Sequence, residues 1–540
     1  MPSVRTHGRS PSVAPRDRRL DPKVLGALVL IAAIPLGVFL VDPLQPLLEH
    51  HSFRQTQTAL TSFWMLHGGG FFAYLTPVLG APWTVPMEFP LFQAIVAFVV
   101  RVGGLPLDVT GRALALVFFY LTAIPIIAVL RVYGWPAVIS ALAIFVTSPI
   151  DLFFSRAFLI ETFATLLSLS ALAAWLAYRR GRRLSSLWIF VAFGILAGLQ
   201  KITTFLPIVA VCGVDLAACE FQNLRKLELR RLDWRSAFAL LAVLLPAVLW
   251  TAYSDAIKSG GALSALMTST NLRSWNFGSI ALRLRLEYWS KVFGGKILLL
   301  GGFAPVVVLL ALAIRNKRVG WNRDAAMFAG AGLLGPLIFA NLHFVHDYYL
   351  VGSLAFLACG AGILLGPYLA DGPKNFRARQ VGALTLLLAV NLTLFAIRYG
   401  PMLEEIPPID AETYRIAQAI ARSTAPDDVT IIVGLDWNGT IPYYSQRFAL
   451  MFPEAMTNES RAAVLRDPAA YLDGRRVGAV VYCPPADPLH ALSGPMQDAL
   501  YGLVAGAAVD FGRCTVKIRA VPPRSGATAL PRGPALPRAS

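Results

Sequence analysis

Carboxylate, imidazole and basic side chains gather in four short segments of an otherwise strongly apolar chain. The four segments together hold Asp42, Glu49, His50, His51, Arg54, Gln55 and Glu88; Asp151, Arg156 and Glu161; Lys201; and Asn341, His343, His346, Asp347, Tyr348 and Tyr349. One carboxylate among them could act as a general base. Fixed cations could stabilise negative charge that develops on a leaving group. This combination suits transfer of a group from a phosphate-linked donor.

The elements that must position these side chains are membrane helices. Of the 540 residues, 56% are hydrophobic and only 15% are charged, which argues against a soluble protein. A bilayer core needs about 20 apolar residues per helix, and runs of about that length predict eleven spans. The predicted spans are 24–41, 109–130, 135–153, 161–178, 185–199, 203–219, 236–253, 297–314, 325–341, 347–369 and 381–397.

The placement of the basic residues predicts the topology. The net charge is +17, and the arginines and lysines cluster before the first span and after the fourth, sixth, eighth and tenth spans. These are alternate loops, so the positive-inside rule predicts a cytoplasmic N-terminus (1–23) and an outer C-terminus. The charge therefore reflects topology and does not indicate a nucleic-acid partner. The first apolar run has no small-residue cleavage site after it, so we expect a retained helix.

This topology brings the four polar segments to the outer face. It also leaves two long outer loops, 42–108 and 254–296, which are amphipathic. In the first loop, Thr56–Leu66 predicts a short helix that ends at three glycines, and 89–102 is apolar but too short to cross the bilayer. We expect both loops to lie at the membrane interface.

The composition changes after the last span. Ala411–Ser423 predicts an amphipathic helix, and Val429–Val433 and Val477–Tyr482 predict buried strands. We therefore expect a small α/β domain over 403–521, outside the membrane, followed by a disordered tail over 522–540. Cys483 and Cys514 lie in this domain, where an oxidising compartment would permit a disulfide; that pairing is a hypothesis.

Several short motifs together resemble a known family. The first loop reads Phe53-Arg54-Gln55-Thr56-Gln57-Thr58-Ala59, then Met65-Leu66-His67-Gly68-Gly69, then Glu88-Phe89-Pro90-Leu91; later come Arg156 with Glu161, Leu199-Gln200-Lys201, and His346-Asp347-Tyr348-Tyr349. In order and spacing, 24–400 resembles the GT-C glycosyltransferases of family 39, which include bacterial aminoarabinose transferases and protein O-mannosyltransferases.

The resemblance implies a function and a set of roles. It implies an inner-membrane enzyme that transfers a hexosyl or pentosyl group from a polyprenyl-phosphate donor to an envelope lipid, glycan or protein on the outer face. Arg54, Arg156 and Lys201 are the candidates for binding the donor phosphate. The candidates for contacting substrate are Gln55, His346, Asp347, Tyr348 and Tyr349.

The chain departs from the family at the expected first-loop base. Arg54 and Gln55 stand where the best-known members carry an acidic pair. The remaining candidates are Glu88 and Glu161, which match acidic positions of the family, followed by Glu49 and Asp42; a different arrangement or an inactive protein is the alternative. Glu161 with Glu88 could instead hold a divalent metal ion.

Each of these residues also has a purely structural interpretation. Glu161 at a helix start is favoured by the helix dipole, and Arg156 and Lys201 could extend to the membrane interface. In the C-terminal domain, Trp437 and the Tyr443-Tyr444 pair could stack on a sugar or could simply pack in a turn against the membrane domain.

Two other classes of function compete with the transferase. One is a transporter or flippase for a lipid-linked glycan, but such proteins bury ionisable groups near the midplane and often show repeat symmetry. The spans here carry few ionisable groups, and we see no repeat. The other is a non-catalytic scaffold that binds glycan through its C-terminal domain. The sugar, the acceptor and the oligomeric state are left open by the sequence.

Overall fold

The computed structural model describes residues 22–225, 232–370, 376–485, 487 and 490–519. The predicted disordered tail, most of the basic N-terminus, and Lys226, Arg230, Arg231 and Lys374 lie outside the described residues. The membrane domain is built from helices α1 (Pro22–Leu40), α4 (Leu107–Leu121), α5 (Ala123–Leu130), α6 (Trp135–Thr147), α7 (Pro149–Phe154), α8 (Glu161–Gly181), α9 (Leu184–Gln200), α10 (Ile202–Arg225), α11 (Trp234–Ser259), α15 (Ala304–Arg315), α16 (Arg323–Ile338), α18 (Leu350–Ala370) and α19 (Phe376–Arg398).

A helix lies at each of the eleven predicted spans. Within the part of the chain that the structure describes, six helices are long and apolar enough to cross a membrane, or seven if one bent pair counts as a single span. Others, such as α6 and α9, are apolar but have fewer than 18 residues. The chain is a multi-pass membrane protein, and the count of eleven spans stays a prediction.

The predicted span 297–314 is a sharply broken helix. The segment Leu286–Leu300 and helix α15 meet at an angle of 81°. The break falls at Gly301 and Gly302, and Gly302 has a φ of +77° that residues other than glycine rarely adopt. Pro305 in the first turn of α15 starts the new helix direction.

Small residues hold the centre of the membrane domain together. Helix α18 is the most buried of the membrane-span candidates, and it packs on α6 and α16. A Cβ added at Gly362 would lie 2.6 Å from the carbonyl oxygen of Ala137, so the helices α6 and α18 approach closely only because glycine stands there. Close packing of small residues is a main source of helix association in membranes.

The outer loop 42–108 contains two helices that lie outside the predicted spans. These are α2 (Ser52–Leu66) and α3 (Leu91–Gly103). Helix α2 ends as expected at the glycines, because the backbone amides of His67 and Gly69 both donate to the carbonyl oxygen of Trp64 and Gly68 has a φ of +90°. The second outer loop holds the short helices α12 (Arg273–Phe277), α13 (Ile280–Leu284) and α14 (Leu286–Tyr288), and α17 (Ala340–Val345) precedes α18.

The C-terminal domain is a mixed α/β unit. Its elements are α20 (Pro408–Ser423), β1 (Val429–Val433), α21 (Thr440–Ser445), β2 (Phe448–Met451), α22 (Asn458–Arg466), β3 (Val477–Tyr482), α23 (Gly494–Gly502), β4 (Ala508–Phe511) and β5 (Cys514–Ile518). The strand order is β2-β1-β3-β5-β4, with the first three strands parallel and β5 antiparallel to both β3 and β4. Both predicted strands, β1 and β3, lie at the centre and are fully buried. Cys483 and Cys514 form a disulfide that joins β3 to β5.

This domain is docked on the outer loop by backbone pairing. The amides of Ala449 and Met451 in β2 donate to the carbonyl oxygens of Pro77 and Val78, at 2.9 Å each, and Leu79 and Leu450 form an isolated antiparallel bridge. A Cβ at Gly439 would lie 2.9 Å from the backbone nitrogen of Gln57 in α2. The domain therefore sits directly over α2.

Candidate functional site

A bidentate ion pair joins helix α2 to the segment before α3. The guanidinium of Arg54 donates to both carboxylate oxygens of Glu88, at 2.9 and 2.8 Å. The side-chain amide of Gln93 also donates to Glu88, at 2.9 Å, and the hydroxyl of Tyr74 donates to the Glu88 carbonyl oxygen. Burial acts to raise the pKa of Glu88, but Arg54 prevails and holds it below the ordinary value. Glu88 is therefore an anchored carboxylate.

A second ion pair lies where the ends of three membrane helices meet. The ammonium of Lys201, between α9 and α10, is 2.6 Å from one oxygen of Glu161, the first residue of α8. The other oxygen of Glu161 is buried and has no hydrogen-bond partner among the described residues. The ammonium of Lys201 also lies 4.0 Å from the ring centre of Tyr349. Burial lowers the pKa of Lys201, and the carboxylate of Glu161 opposes that effect.

The two ion pairs are neighbours because the first loop is tied to the end of α9. The amide of Phe89 donates to the carbonyl oxygen of Leu199, and the amide of Phe92 donates to the side chain of Gln200, both at 3.2 Å. Tyr348 and Tyr349 stack beside the pairs with ring centres 4.8 Å apart. We call these six residues the outer cluster: Arg54, Glu88, Glu161, Lys201, Tyr348 and Tyr349.

A cluster of two histidines and an aspartate adjoins the outer cluster. Nε2 of His51 lies 2.6 Å and Nε2 of His50 lies 3.3 Å from the carboxylate of Asp347. The ring of His51 meets the ring of Tyr348 edge to face at 4.8 Å, and His346 stacks on Tyr348 at 5.0 Å. Burial opposes ionisation of Asp347, yet the hydrogen bonds from the two histidines hold its pKa well below the ordinary value.

Two of the predicted site residues, Glu49 and Arg156, lie elsewhere. Glu49 is buried and pairs with Arg112 at 2.5 Å and with Arg156 at 3.7 Å. Arg156 also donates to the carbonyl oxygens of Val38 and Val41. We call Glu49, Arg112 and Arg156 the sealed cluster. The residues of the sealed cluster contact the backbone and one another. These contacts favour a structural role for Glu49 and Arg156 over a role as the base or as a phosphate ligand.

Gln55 is likewise occupied by the fold. Its side-chain oxygen accepts from the amide of Phe158 at 2.9 Å, and its nitrogen donates to the carbonyl oxygen of His50 at 3.2 Å. Asp42 is exposed at the end of the first helix, with a φ of +43°. The structure brings neither residue into the outer cluster.

A polar cleft opens between α2 and the C-terminal domain. Its cavity volume is about 10 Å³, which is room for about one water molecule, and Glu88 and Arg54 lie on its wall. The other lining residues are Gln57, Thr58, Thr61, Tyr74, Thr76, Val85, Met87, Gln93 and Trp437. Trp437 also packs edge to face on Phe53, with ring centres 5.8 Å apart. The cleft therefore places the anchored carboxylate beside a water-sized space under the domain.

The Tyr443-Tyr444 pair takes part in docking. Both hydroxyls donate to the carboxylate of Asp108 at the start of α4, the Tyr444 bond at 2.9 Å. The Tyr444 hydroxyl also accepts from the amide of Leu47 at 2.5 Å. These contacts match the structural interpretation of the pair.

Sequence reasoning missed the side chains that support the site. Gln93, Tyr74 and Tyr399 fix Glu88 and Asp347, and Tyr399 donates to Asp347 at 2.7 Å. Each is distant in sequence or lies within a run that reads as ordinary helix or loop. The sequence carries no pattern that would reveal these side chains, because tertiary packing sets their partners.

The fold has known counterparts, although the sequence does not. No protein-family model matches the chain, and no curated protein matches it in sequence. The structure is similar to that of ArnT from Cupriavidus metallidurans bound to undecaprenyl phosphate, with a TM-score of 0.62 and 16% identity over 91% of this chain and 98% of that one.

Two other membrane enzymes are similar over much of this chain. One is the oligosaccharyltransferase AglB from Archaeoglobus fulgidus, with a TM-score of 0.55 and 13% identity over 85% of this chain and 69% of that one. The other is the arabinofuranosyltransferase AftD from Mycobacteria, with a TM-score of 0.50 and 14% identity over 94% of this chain and 40% of that one. The chain therefore has the GT-C fold, and the predicted fold class is confirmed.

Proposed function

We propose that the chain is a membrane glycosyltransferase that moves a sugar from a polyprenyl-phosphate donor to an acceptor of the cell envelope. The observation that carries the proposal is the outer cluster, in which two cations and two carboxylates meet at the ends of helices in a GT-C fold. ArnT is described with undecaprenyl phosphate bound and AglB with a dolichol phosphate. Those two counterparts support a donor with one phosphate on a long isoprenoid chain.

The cations of the outer cluster suit the leaving group. As an acceptor hydroxyl or amine attacks the anomeric carbon, the bond from that carbon to the phosphate oxygen breaks, and the phosphate gains negative charge. Lys201 and Arg54 are held by their carboxylate partners and by Tyr349, so they can stabilise this charge without reorganising. The lipid tail would lie between the apolar helices.

Glu161 is the carboxylate best suited to accept the proton. One of its oxygens is held by Lys201, and the other has no partner among the described residues, so that oxygen can receive the acceptor's proton. Glu88 is less suited because Arg54 and Gln93 occupy both of its oxygens and its pKa is low. Proton transfer by a positioned carboxylate contributes typically about 10² to 10⁴ in rate.

The location and the sugar are parts of the same proposal. Basic residues in alternate loops favour a cytoplasmic N-terminus and an outer C-terminal domain in a bacterial inner membrane. The hydroxyl and amide groups that line the cleft beside Trp437 suit the hydroxyls of a neutral hexose or pentose, and the cleft would have to widen to admit one. Transfer would then occur on the outer face, under the docked domain.

The experiment compares envelope glycans in a deletion strain rescued with different forms of the protein. We would measure glycolipids, glycans and glycoproteins by mass spectrometry after rescue with the wild type, with Glu161→Gln, or with Glu404→Gln, which changes an exposed carboxylate. The expected result is a sugar that is lost on deletion, restored by the wild type and the control variant, and not restored by Glu161→Gln at equal membrane abundance. Full rescue by Glu161→Gln would remove it as the base, and no glycan change on deletion would contradict transfer itself.

A further inference from the structure

His50, His51 and Asp347 converge from two distant parts of the chain. The histidines immediately precede α2, and the aspartate lies between α17 and α18. One possible ligand atom from each residue lies within 4.8 Å of the other two. Both imidazoles present Nε2 to the same carboxylate. This is the arrangement that three ligands of one metal ion adopt.

We infer that His50, His51 and Asp347 bind one divalent transition-metal ion of the zinc type. Two imidazoles and one carboxylate are borderline ligands that favour zinc and its neighbours over magnesium or calcium, which prefer all-oxygen sites. This site is separate from the Glu88 and Glu161 pair that the sequence suggested for a metal. The inference does not depend on the proposed transfer reaction.

The distances fit such an ion with a small adjustment. Zinc–nitrogen and zinc–oxygen bonds of about 2.0 to 2.1 Å at tetrahedral angles place neighbouring ligand atoms roughly 3.3 Å apart. The Nε2 of His50 is 3.3 Å from Asp347 Oδ2, and the Nε2 of His51 is 2.6 Å from Oδ1. The His51 contact must open, which rotation of the ring or the carboxylate supplies, and the third pair, between the two histidine nitrogens, lies within 4.8 Å.

The surrounding groups orient the carboxylate and leave a path for the ion. The hydroxyl of Tyr399 donates to Asp347 at 2.7 Å, which is the kind of outer contact that fixes a metal ligand. The side chains of His50 and His51 are 26% and 16% exposed, so an ion can reach them. The nearby ammonium of Lys296 is held by the carbonyl oxygens of His343 and Phe344, at 2.7 and 3.1 Å.

Three protein ligands leave at least one coordination position open. Metal sites with three protein ligands and a free position typically bind a water or a substrate atom. His51 contacts Tyr348, which also borders Lys201, so the ion would lie beside the outer cluster. The metal would add positive charge at the place where the cations of the outer cluster gather.

The test uses the purified full-length protein in detergent, without a polyhistidine tag. After removal of metal by a chelator, zinc is titrated by calorimetry, and cobalt(II) is titrated by visible absorption. We expect one ion per chain and, with cobalt, the intense visible bands of a low-coordinate site. His51→Asn keeps a residue type that tolerates the φ of +62° at this position, and it should abolish stoichiometric binding.

Two further variants separate a metal site from a general loss of folding. Tyr399→Phe removes only a hydroxyl and should weaken zinc binding by about 10- to 100-fold. His67→Gln changes an exposed histidine away from the cluster and should leave binding unchanged. Absence of stoichiometric binding by the wild type, or equal binding by the wild type and folded His51→Asn, would overturn the inference.

Discussion

The sealed cluster and the outer cluster contain the same kinds of side chain but differ in what surrounds them. In the sealed cluster, Arg112 and Glu49 are 0% and 2% exposed, and Arg112 donates to three backbone carbonyl oxygens as well as to Glu49. In the outer cluster, Arg54 and Glu88 are 21% and 12% exposed and line a cleft. A buried polar atom without a hydrogen-bond partner among the described residues does not separate the two clusters, because Glu161 has one and so do Arg112 and Arg156.

This difference gives a way to distinguish charged side chains that stabilise the fold from charged side chains that take part in a reaction. A charged side chain that is bonded to backbone groups and to a fixed counter-ion stabilises the fold, because moving it would leave a buried group unpaired. A charge that is partly exposed beside a cleft can form a new contact in a transition state. The following predictions test that distinction.

The largest effect is expected on stability, from the sealed cluster. Glu49→Ala leaves Arg112 and Arg156 buried without their carboxylate, so the free energy of unfolding should fall by about 3 to 5 kcal/mol. Thermal unfolding in detergent measures this, with Glu404→Ala as an exposed control. A melting temperature equal to that of the wild type would show that the sealed cluster is not structural.

The next effect is expected on transfer, from the outer cluster. The double variant Glu161→Gln with Lys201→Met replaces both partners of a buried pair by neutral groups, which often leaves stability nearly unchanged. The transfer rate should fall by at least about 10² to 10³, since a preorganised cation and the base are lost. Unfolding and initial rates are measured on the same preparation; a stable variant with normal rates would contradict the role of the pair.

A smaller effect is expected from the geometry of Arg54. Arg54→Lys keeps the charge but cannot make every Arg54 contact at once, because one guanidinium nitrogen donates to both oxygens of Glu88 and a second donates to the side-chain oxygen of Gln57 at 3.3 Å. The transfer rate should fall roughly tenfold, which corresponds to about 1.4 kcal/mol. The measurement is the dependence of initial rate on the concentration of lipid-linked donor. Wild-type rates would mean that charge alone matters here.

The smallest effect is expected on the pH dependence of stability, from Asp410, whose pKa is influenced by Glu49 of the sealed cluster. Burial raises the pKa of Asp410 to about 6, although the hydroxyl of Ser52 donates to it at 2.7 Å, and Glu49 adds to the rise. The folded protein therefore binds more protons than the unfolded chain between about pH 4 and 6, so stability falls as the pH rises through that range.

Asp410→Asn should remove this pH dependence while keeping an acceptor for Ser52. The variant should be more stable than the wild type by about 1 kcal/mol at pH 7, less than the roughly 3 kcal/mol of a two-unit pKa shift because solvent screens this partly exposed group, and should match it near pH 4. Unfolding curves at pH 4, 6 and 7 measure the difference. Parallel pH profiles for the two proteins would contradict the assignment.

Much of the fold followed from local signals. Apolar runs placed a helix at every predicted span, and the glycines at 68–70 ended α2 where expected. The strands β1 and β3 were predicted to the residue because a fully buried central strand is a continuous β-branched and apolar run. Strands β2 and β4 were missed because each has only four residues.

Periodicity could not reveal the bend at Gly301–Gly302. A run of apolar residues looks the same whether the helix is straight or broken, and two glycines in a membrane helix are common. The 81° angle depends on how α15 packs against α18 and α19.

The sequence by itself determined that the protein is helical and membrane-bound, that polar side chains gather in a few short segments between its helices, and which residue types are available there. These properties depend on composition and on spacing along the chain. Only the tertiary structure decided that Glu49 and Arg156 are sealed, that Glu88 is held by Arg54, and that His50 and His51 meet Asp347. The reason is physical: the role of a charge depends on its partners, and these partners lie from 34 to 297 residues apart in sequence.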